Sequence, residues 1–366
     1  MPANRKIEVK CLSRVEGEGA LFIRLDGDRV EHVELNIFEP PRFFEALLCG
    51  REIREVPDIT ARICGICPVA YQMSACHALA KALGVTVPLE IRRLRRLLYC
   101  AEWIQSHTLH IYFLHAPDFL GCESVISLAG INREAVERGL RMKKIGNALI
   151  EALGGRAIHP INVTVGGFHR APRTDALRAL VPDLEWGLQA AIDTLRWVSH
   201  FEFPDVETNY EMVCIQHPYE YPMNEGRVVS SAGLDIPVED YEKYFEEQHL
   251  KQSSALHSVV LPGRRSYLVG PLARFNLCFG QLLPTARREA EACKMPWPCH
   301  NNFRSIQARA LELIHAFEEA IAIVKDYQRE LTRCRVPFKP APGSACHATE
   351  APRGLLMIAT ESARTG

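Results

Sequence analysis

The chain has 366 residues, of which 47% are hydrophobic and 24% are charged, and its formal net charge is −1. This composition is ordinary for a globular protein, and a chain of this length can bury a large core. The balanced charge excludes a general electrostatic attraction to nucleic acid or to an anionic membrane.

The thirteen cysteines bear on the cellular location. Residues Met1–Lys10 alternate and are polar, so they lack the apolar core of a signal peptide. No stretch approaches the run of about 18 apolar residues that spans a membrane. We therefore expect a cytoplasmic protein whose thiols are reduced, most of them packed in the core and a few acting as ligands.

The first 40 residues predict a small β-unit. Apolar and charged residues alternate over 7–11, and a second run, 21–25, leads into a turn signal at Asp26-Gly27. After this unit the pattern changes to helix. We therefore predict a single domain, 1–366, with the β-unit at 1–40 and a helical body at 41–366.

Helical signals dominate the body. Pro68 and Gly84 stand where a helix begins and ends, and an apolar face from Leu94 to Ile111 predicts a helix that ends before Pro117. Further helices are predicted near 131–153, 174–200, 281–293 and 303–324, whereas 157–172 and 205–235 have the Pro, Gly and Asn content of connecting loops. The basic run Arg92, Arg93, Arg95 and Arg96 is interpreted as a solvated helix face.

The strongest local signal is Arg62-Ile63-Cys64-Gly65-Ile66-Cys67-Pro68. Two thiolates on a turn that leads into a helix N-terminus can face one metal, and the helix dipole favours the thiolate form. Taken alone, the pair could also be a redox disulfide, half of a zinc site or chance. A thioredoxin-like site needs a preceding βαβ pattern, and a structural zinc site needs a second Cys-x-x-Cys, which these residues lack. Cys76-His77, on the next helix, is interpreted as a packed thiol and an ordinary histidine.

Six segments in collinear order resemble the large subunit of nickel–iron hydrogenases. They are Ser13–Gly19 with its Arg-x-Glu-Gly element, Pro41–Glu45, Arg62–Cys67, Gly154–Pro160 with Gly166-Gly167, Val269–Arg274, and Ala348–Gly354. The amino-acid sequence of Cys64–Ser74 is most similar to that of the cytoplasmic NAD(P)-linked hydrogenases, including the sulfhydrogenase α-subunits. The resemblance implies a mainly α fold with a small N-terminal β-sheet.

The resemblance also implies roles for individual residues. Cys64 corresponds to a terminal nickel ligand, and Cys67 corresponds to a thiolate that bridges nickel and iron, the iron also carrying small diatomic ligands. Glu45 matches a carboxylate that helps to hold a magnesium ion, a hard ligand for a hard ion. Glu16 matches a carboxylate that relays protons, and Arg353 matches a guanidinium above the open face of the metals.

Structural alternatives exist for these residues. Glu45 could be a surface carboxylate, Arg353 a buried ion-pair partner of Glu350, and Glu16 part of a solvated strand edge. The family commonly has a histidine where this chain has Tyr71, which can donate a hydrogen bond but carries no positive charge at neutral pH. Four histidines are interpreted as structural or as outer-shell residues: His107, His110, His115 and His159.

One family segment is missing from these residues. An Asp-Pro-Cys-x-x-Cys-x-x-His sequence supplies two further thiolates and the histidine of the magnesium site in the family, and the 366 residues do not contain it. Cys346 and His347 cannot substitute, because they precede Arg353 and lack a second cysteine. The sequence as given is therefore expected to be incomplete for stable binding of nickel and iron.

The implied reaction is the reversible heterolysis of dihydrogen, with the proton passing through a cysteine to Glu16. Electrons would leave through a separate iron–sulfur small subunit towards flavin- and NAD(P)-linked subunits, and maturation proteins would assemble the centre. The alternative is a non-catalytic scaffold, as in the quinone-site subunit of respiratory complex I, which shares the fold without the metals.

Overall fold

The computed structural model describes residues 5–15, 17–39, 42–328 and 331–363. The chain divides into two compact units: unit 1 comprises Met1–Ala46 with Tyr241–Tyr267, and unit 2 comprises Leu47–Asp240 with Leu268–Gly366. This division does not test the predicted single domain, which stays a prediction.

Helices account for most of the regular structure. They are α1 (Phe44–Leu48), α2 (Val56–Ala61), α3 (Pro68–Ala82), α4 (Leu89–Leu109), α5 (Ala116–Phe119), α6 (Val125–Ile131), α7 (Arg133–Gly154), α8 (Thr174–Ala179), α9 (Val181–Val198), α10 (Tyr241–Tyr244), α11 (Pro271–Cys278), α12 (Pro284–Ala292) and α13 (Ser305–Asp326). The mainly helical fold predicted from the sequence is confirmed.

The strands are short, apart from those at the two ends of the chain. They are β1 (Arg5–Val9), β2 (Gly19–Asp26), β3 (Arg29–Ile37), β4 (Val163–Thr164), β5 (Gly167–Phe168), β6 (Glu211–Gln216), β7 (Arg227–Ser230), β8 (Asp235–Ile236), β9 (Phe245–Gln248), β10 (His257–Val260), β11 (Tyr267–Leu268), β12 (Gly343–Ala351) and β13 (Gly354–Ser362).

Unit 1 contains the N-terminal sheet. Strands β1, β2 and β3 form an antiparallel meander in which Ile23 pairs with Ile7 on one side and with Val33 on the other. Strands β9 and β10 form a hairpin in the same unit. Ser254 links the loop of this hairpin to the end of the sheet, because its hydroxyl donates to the carbonyl oxygen of Glu39 and its backbone N–H donates to that of Ile37, both at 2.6 Å. The predicted N-terminal sheet is confirmed.

The core of unit 2 is built around α4. This helix packs against α7 and α13, and α13 packs in turn against α9. Trp103 and Tyr99 of α4 are among the largest fully buried side chains. Helix α3 packs against the hairpin β12–β13, which the sequence analysis did not predict.

Two predicted boundaries need correction. Helix α4 ends at Leu109, but a π-helix follows over His110–His115, and Pro117 then lies in the first turn of α5. A proline is tolerated there because its missing N–H would be unpaired in any case. The predicted loop over 205–235 is wrong in part, because β6, β7 and β8 pair antiparallel within or beside it. The apolar run of β6 is short, and the Pro, Gly and Asn residues on either side of it led to the prediction of a loop.

The interpretation of the arginine run as a solvated face is also wrong in part. The side chain of Arg93 is 40% exposed, but Arg95 and Arg96 are only 1% and 6% exposed. Arg96 forms ion pairs with Glu319 and, at 3.0 Å, with Glu220. The partner carboxylates lie more than a hundred positions away, so the run alone gives no sign of them.

Among the helices of the described residues, none is both long and apolar enough to cross a membrane.

Close packing of α4 on α7 gives a first prediction. A Cβ atom at Gly146 of α7 would lie 2.8 Å from the backbone N of Gln105 in α4. The contact is with backbone, so one of the two helices would have to shift to relieve it. We expect Gly146→Ala to lower the free energy of unfolding by about 1–3 kcal/mol, as overpacking does, although alanine favours helix by about 1 kcal/mol. Urea unfolding measures the change. Gly130→Ala in α6 is the control, because a Cβ atom there meets nothing within 4 Å. Equal stability of the two variants would contradict the packing argument.

Candidate metal centre

The two cysteines lie on the turn that precedes α3. Cys67 is the N-cap residue of this helix and Pro68 begins its first turn, as the sequence predicted. The backbone N–H of Cys67 donates to Sγ of Cys64 at 3.3 Å, and both side chains are half-buried. The turn therefore brings two thiols to one place, with one sulfur already oriented by a backbone donor.

A carboxylate that the sequence analysis missed fixes the start of α3. Glu102, in α4, is fully buried and accepts hydrogen bonds from the backbone N–H groups of Val69 at 2.7 Å and Ala70 at 3.1 Å. Burial raises the pKa of Glu102 well above its usual range, and the nearby Cys64 thiol acts in the same direction. The only sequence signal for Glu102 is a single acidic residue within an apolar stretch of helix.

Side chains from other segments also hold the turn. Gln105 of α4 donates to the carbonyl oxygen of Ile66, between the two cysteines. Gln72 donates to the carbonyl oxygen of Pro160 at 2.6 Å, and Nδ1 of His159 lies 2.8 Å from the carbonyl oxygen of Ala61. The Gly154–Pro160 segment thus supports the cysteine turn, which agrees with a structural interpretation of His159.

Arg353 lies at the turn between β12 and β13, where Ala351 pairs with Gly354. Its side chain is exposed. The Val269–Arg274 segment approaches this turn so closely that a Cβ atom at Gly270 would lie 2.4 Å from the carbonyl oxygen of Arg353. Gly270 also has a φ of +96°, which side chains with a Cβ rarely adopt, so glycine is required there.

A buried ion network centred on Arg274 also holds the turn between β12 and β13. Nε and one terminal nitrogen of Arg274 donate to the two carboxylate oxygens of Glu312, both at 2.7 Å, and the other terminal nitrogen donates to Glu350 at 2.8 Å. Arg274 also donates to the carbonyl oxygens of Ala351 at 3.1 Å and Pro352 at 3.0 Å. The suggested ion pair of Arg353 with Glu350 is therefore wrong: Glu350 pairs with Arg274, and Arg353 is exposed.

The network sets the charges of its members. Burial would raise the pKa of Glu312, but the attraction and hydrogen bonds of Arg274 outweigh it and lower this pKa to about 2. Burial dominates at Glu350 and raises its pKa to about 7, although Arg274 opposes the change. Burial also lowers the pKa of His107 to about 4, even though its Nε2 lies 2.9 Å from Oε2 of Glu312.

The π-helix carries two histidines, His110 and His115, whose rings contact each other. The rings of His110 and His115 meet edge to face, with centroids 4.9 Å apart. Burial lowers the pKa of both imidazoles, and Arg309 lowers each pKa further, so both rings are neutral at neutral pH. A π-helical turn of this kind is often found at functional sites.

The predicted site residues are only partly brought together. Cys64, Cys67 and Arg353 belong to unit 2, whereas Glu45 is an exposed residue of α1 in unit 1. Glu16 lies outside the described residues. Within the described ranges, no group of three or more His, Cys, Asp or Glu side chains is arranged to hold a metal ion. The two thiols fit a soft metal as part of a ligand set.

The network predicts loss of stability in acid. The neutral imidazole of His107, with a folded-state pKa of about 4, contributes stability that is present above its unfolded pKa of about 6.5 and is lost as pH falls through 4. Between pH 7 and pH 5, this histidine alone should lower the free energy of unfolding by about 2 kcal/mol. Urea unfolding at the two pH values measures the loss, which His107→Gln should reduce. His200→Gln, at an exposed histidine, is the control. The same pH dependence in all three proteins would contradict the prediction.

Comparison with known proteins identifies the family. A family model described as nickel-dependent hydrogenase matches residues 42–138. The α-subunits of sulfhydrogenases 1 and 2 from Pyrococcus furiosus are each 32% identical to this chain. The first alignment covers 96% of this chain and 83% of the relative, and the second covers 96% and 82%. The β-subunit of the NAD-reducing hydrogenase HoxS from Cupriavidus necator is 27% identical, over 97% of this chain and 81% of that subunit.

Solved structures agree with the sequence relatives. A crystal structure of an NAD⁺-reducing [NiFe]-hydrogenase in the H2-reduced state superimposes with a TM-score of 0.87 at 26% identity, covering 98% of this chain and 86% of that one. The [NiFeSe] hydrogenase of Desulfovibrio vulgaris Hildenborough, in its as-isolated oxidised state, has the same fold, with a TM-score of 0.79 at 21% identity over 98% of this chain and 87% of that one. The chain belongs to the nickel-dependent hydrogenase family, in which it is similar to the large subunits.

Proposed function

We propose that this protein is the catalytic large subunit of a nickel–iron hydrogenase, which splits dihydrogen reversibly into protons and electrons. The observation that carries the proposal is the Cys64–Cys67 turn, whose thiols lie together at the N-terminus of α3. Its support by Glu102 and Gln105 favours a fixed ligand geometry, because metal sites depend on held ligands.

Cys64 and Cys67 would hold nickel and iron, since soft thiolate sulfur suits both metals. When bound, the metals supply a Lewis-acidic, redox-active centre at which the H–H bond is polarised. The remaining ligands of the centre must come from outside the two cysteines. Glu45 would bind magnesium through a hard carboxylate oxygen, and Glu16 would accept the proton.

Arg353 would act from the substrate side. Its guanidinium keeps a positive charge at any physiological pH and is attached to a turn that Arg274 holds through two carbonyl oxygens. A cation placed in this way can orient and polarise a small substrate, and it costs little reorganisation during the reaction because its backbone is already fixed.

The electrons would pass to an iron–sulfur small subunit and then to flavin- and NAD(P)-linked subunits. The sulfhydrogenase and NAD-reducing relatives are themselves named as subunits, which supports a hetero-oligomer. Because the electrons would reach NAD(P), which the cytoplasm supplies, the proposal includes a cytoplasmic location for the protein. Maturation proteins would insert the metals.

The first test concerns nickel. In the purified hydrogenase complex, Cys64→Ser is expected to lower the nickel content by more than about tenfold, because a hydroxyl replaces a soft ligand. Cys76→Ser is the matched control on α3. That thiol is fully buried, and burial raises its pKa to about 11, so it stays protonated and packs as a small apolar group. Elemental analysis measures nickel per chain. Equal loss from both variants would refute the assignment of Cys64, and a wild-type complex without nickel would favour the scaffold function.

The second test concerns Arg353. We expect Arg353→Lys to lose most of the hydrogen-dependent dye reduction while it keeps its metals, because a flexible ammonium does not replace a planar guanidinium. Arg288→Lys, at an exposed arginine of α12, is the control. Turnover and metal content are measured on the same preparations. Near-normal turnover of Arg353→Lys would remove this residue from the reaction.

A further inference from the structure

A cleft of about 610 Å³ lies in unit 2. It is lined by the C-terminal part of α3, the first two turns of α4 and one residue of strand β12. Its volume is within the range of about 300–1,000 Å³ that is typical of ligand sites. None of the residues assigned above to metals or to hydrogen lines this cleft. Its lining carries three cations, Lys81, Arg92 and Arg95, and one carboxylate, Glu225, together with His77, Asn224 and His347.

Arg95 is the unusual member of this lining, because it is buried with most of its donors unused. Its side chain is 1% exposed, and within the described residues its one hydrogen bond runs from a terminal nitrogen to the carbonyl oxygen of Thr164 at 3.1 Å. Nε and the other terminal nitrogen find no acceptor among the described residues. Burial lowers the pKa of Arg95, which reflects the cost of a cation without solvent or a bonded carboxylate.

The other cations of the cleft are already neutralised. Arg92 donates to Glu220 at 2.6 Å and to Glu225 at 3.1 Å. Lys81 forms an ion pair with Glu239. The carboxylates at the rim are therefore engaged by these two residues, whereas Arg95 lines the cleft with donors that have no acceptor among the described residues.

Two further residues that line the cleft have polar atoms without partners among the described residues. Nε2 of His77 and Oδ1 of Asn224 are buried without a hydrogen bond from any described residue. The His77 ring stacks on that of His347, with centroids 4.4 Å apart, and His347 is fixed by a 2.7 Å contact between Nε2 and the carbonyl oxygen of Asn224. Burial lowers the pKa of both histidines, so both rings are neutral, and Nε2 of His77 can donate a hydrogen bond.

We propose that this cleft binds a small organic oxyanion, a carboxylate or a phosphate ester, whose charged group lies against Arg95 and His77. Guanidinium donors form their strongest hydrogen bonds with such oxygens. The cleft is larger than one phosphate group, and Ala80, Val85 and Val87 give it an apolar side for the rest of the molecule. This site is independent of the proposed hydrogen chemistry and needs no metal.

The test is calorimetric titration of the purified complex at constant ionic strength with inorganic phosphate, adenosine monophosphate and succinate. We expect saturable binding of at least one probe at one site per chain. Binding of the phosphate probes would identify a phosphate ligand, and binding of succinate a carboxylate ligand. Arg95→Gln should weaken the binding by at least about tenfold, as loss of a charge-assisted pair does.

Arg93→Gln is the matched control, since it removes the same charge from the same helix. The side chain of Arg93 is 40% exposed and pairs with Asp326, and it does not line the cleft. It should leave the affinity within about twofold, an effect of the size expected for a screened surface charge. If Arg95→Gln does not fold, His77→Leu carries the same expectation. Unchanged affinity in the variant that folds, or no saturable binding of any of the three probes, would overturn the proposal.

Discussion

The buried ion network of Arg274 is the interaction on which the turn that carries Arg353 depends. Two carboxylates, Glu312 and Glu350, and two guanidiniums, Arg274 and Arg309, are fully or almost fully buried. Burial of isolated charges is prohibitively costly, and good geometry with extra hydrogen bonds is what compensates it. Here Arg274 supplies that geometry, since its donors reach both carboxylates and two carbonyl oxygens.

The network acts on the backbone as well as on charge. Glu350 accepts a hydrogen bond from the backbone N–H of Ile215 at 2.9 Å, its own N–H donates to the carbonyl oxygen of Met223 at 2.7 Å, and its carbonyl oxygen accepts from Nε1 of Trp103 at 3.2 Å. The residue three positions before Arg353 is therefore fixed from three directions. Because the turn is held, the exposed side chain of Arg353 begins from a fixed backbone position.

The sequence predicted what short-range chemistry determines. Pro68 and Gly84 predicted where α3 begins and ends, and the alternation of apolar and charged residues predicted the N-terminal sheet. The two-residue spacing between Cys64 and Cys67 predicted that they lie on one turn. The burial of Arg95, the role of Glu102 and the hairpin that carries Arg353 were missed. The hairpin pairs two adjacent strands, but the burial of Arg95, the contacts of Glu102 and the ion pairs beneath the hairpin depend on partners far along the chain: Glu102 is 33 positions from Val69, and Arg274 is 76 positions from Glu350. No local pattern contains that information.

Glu102 changes the argument for the cysteine turn itself. A helix N-terminus offers only a few unpaired N–H groups, and the sequence alone suggested that they would serve the thiolates. In the structure, the N–H groups of Val69 and Ala70 donate to Glu102, and that of Cys67 donates to Sγ of Cys64. The dipole of α3 is thus shared between a carboxylate and one sulfur. Helix α3 would therefore contribute to the proposed metal site mainly by fixing the position of the Cys64–Cys67 turn, and less by the electric field of its dipole.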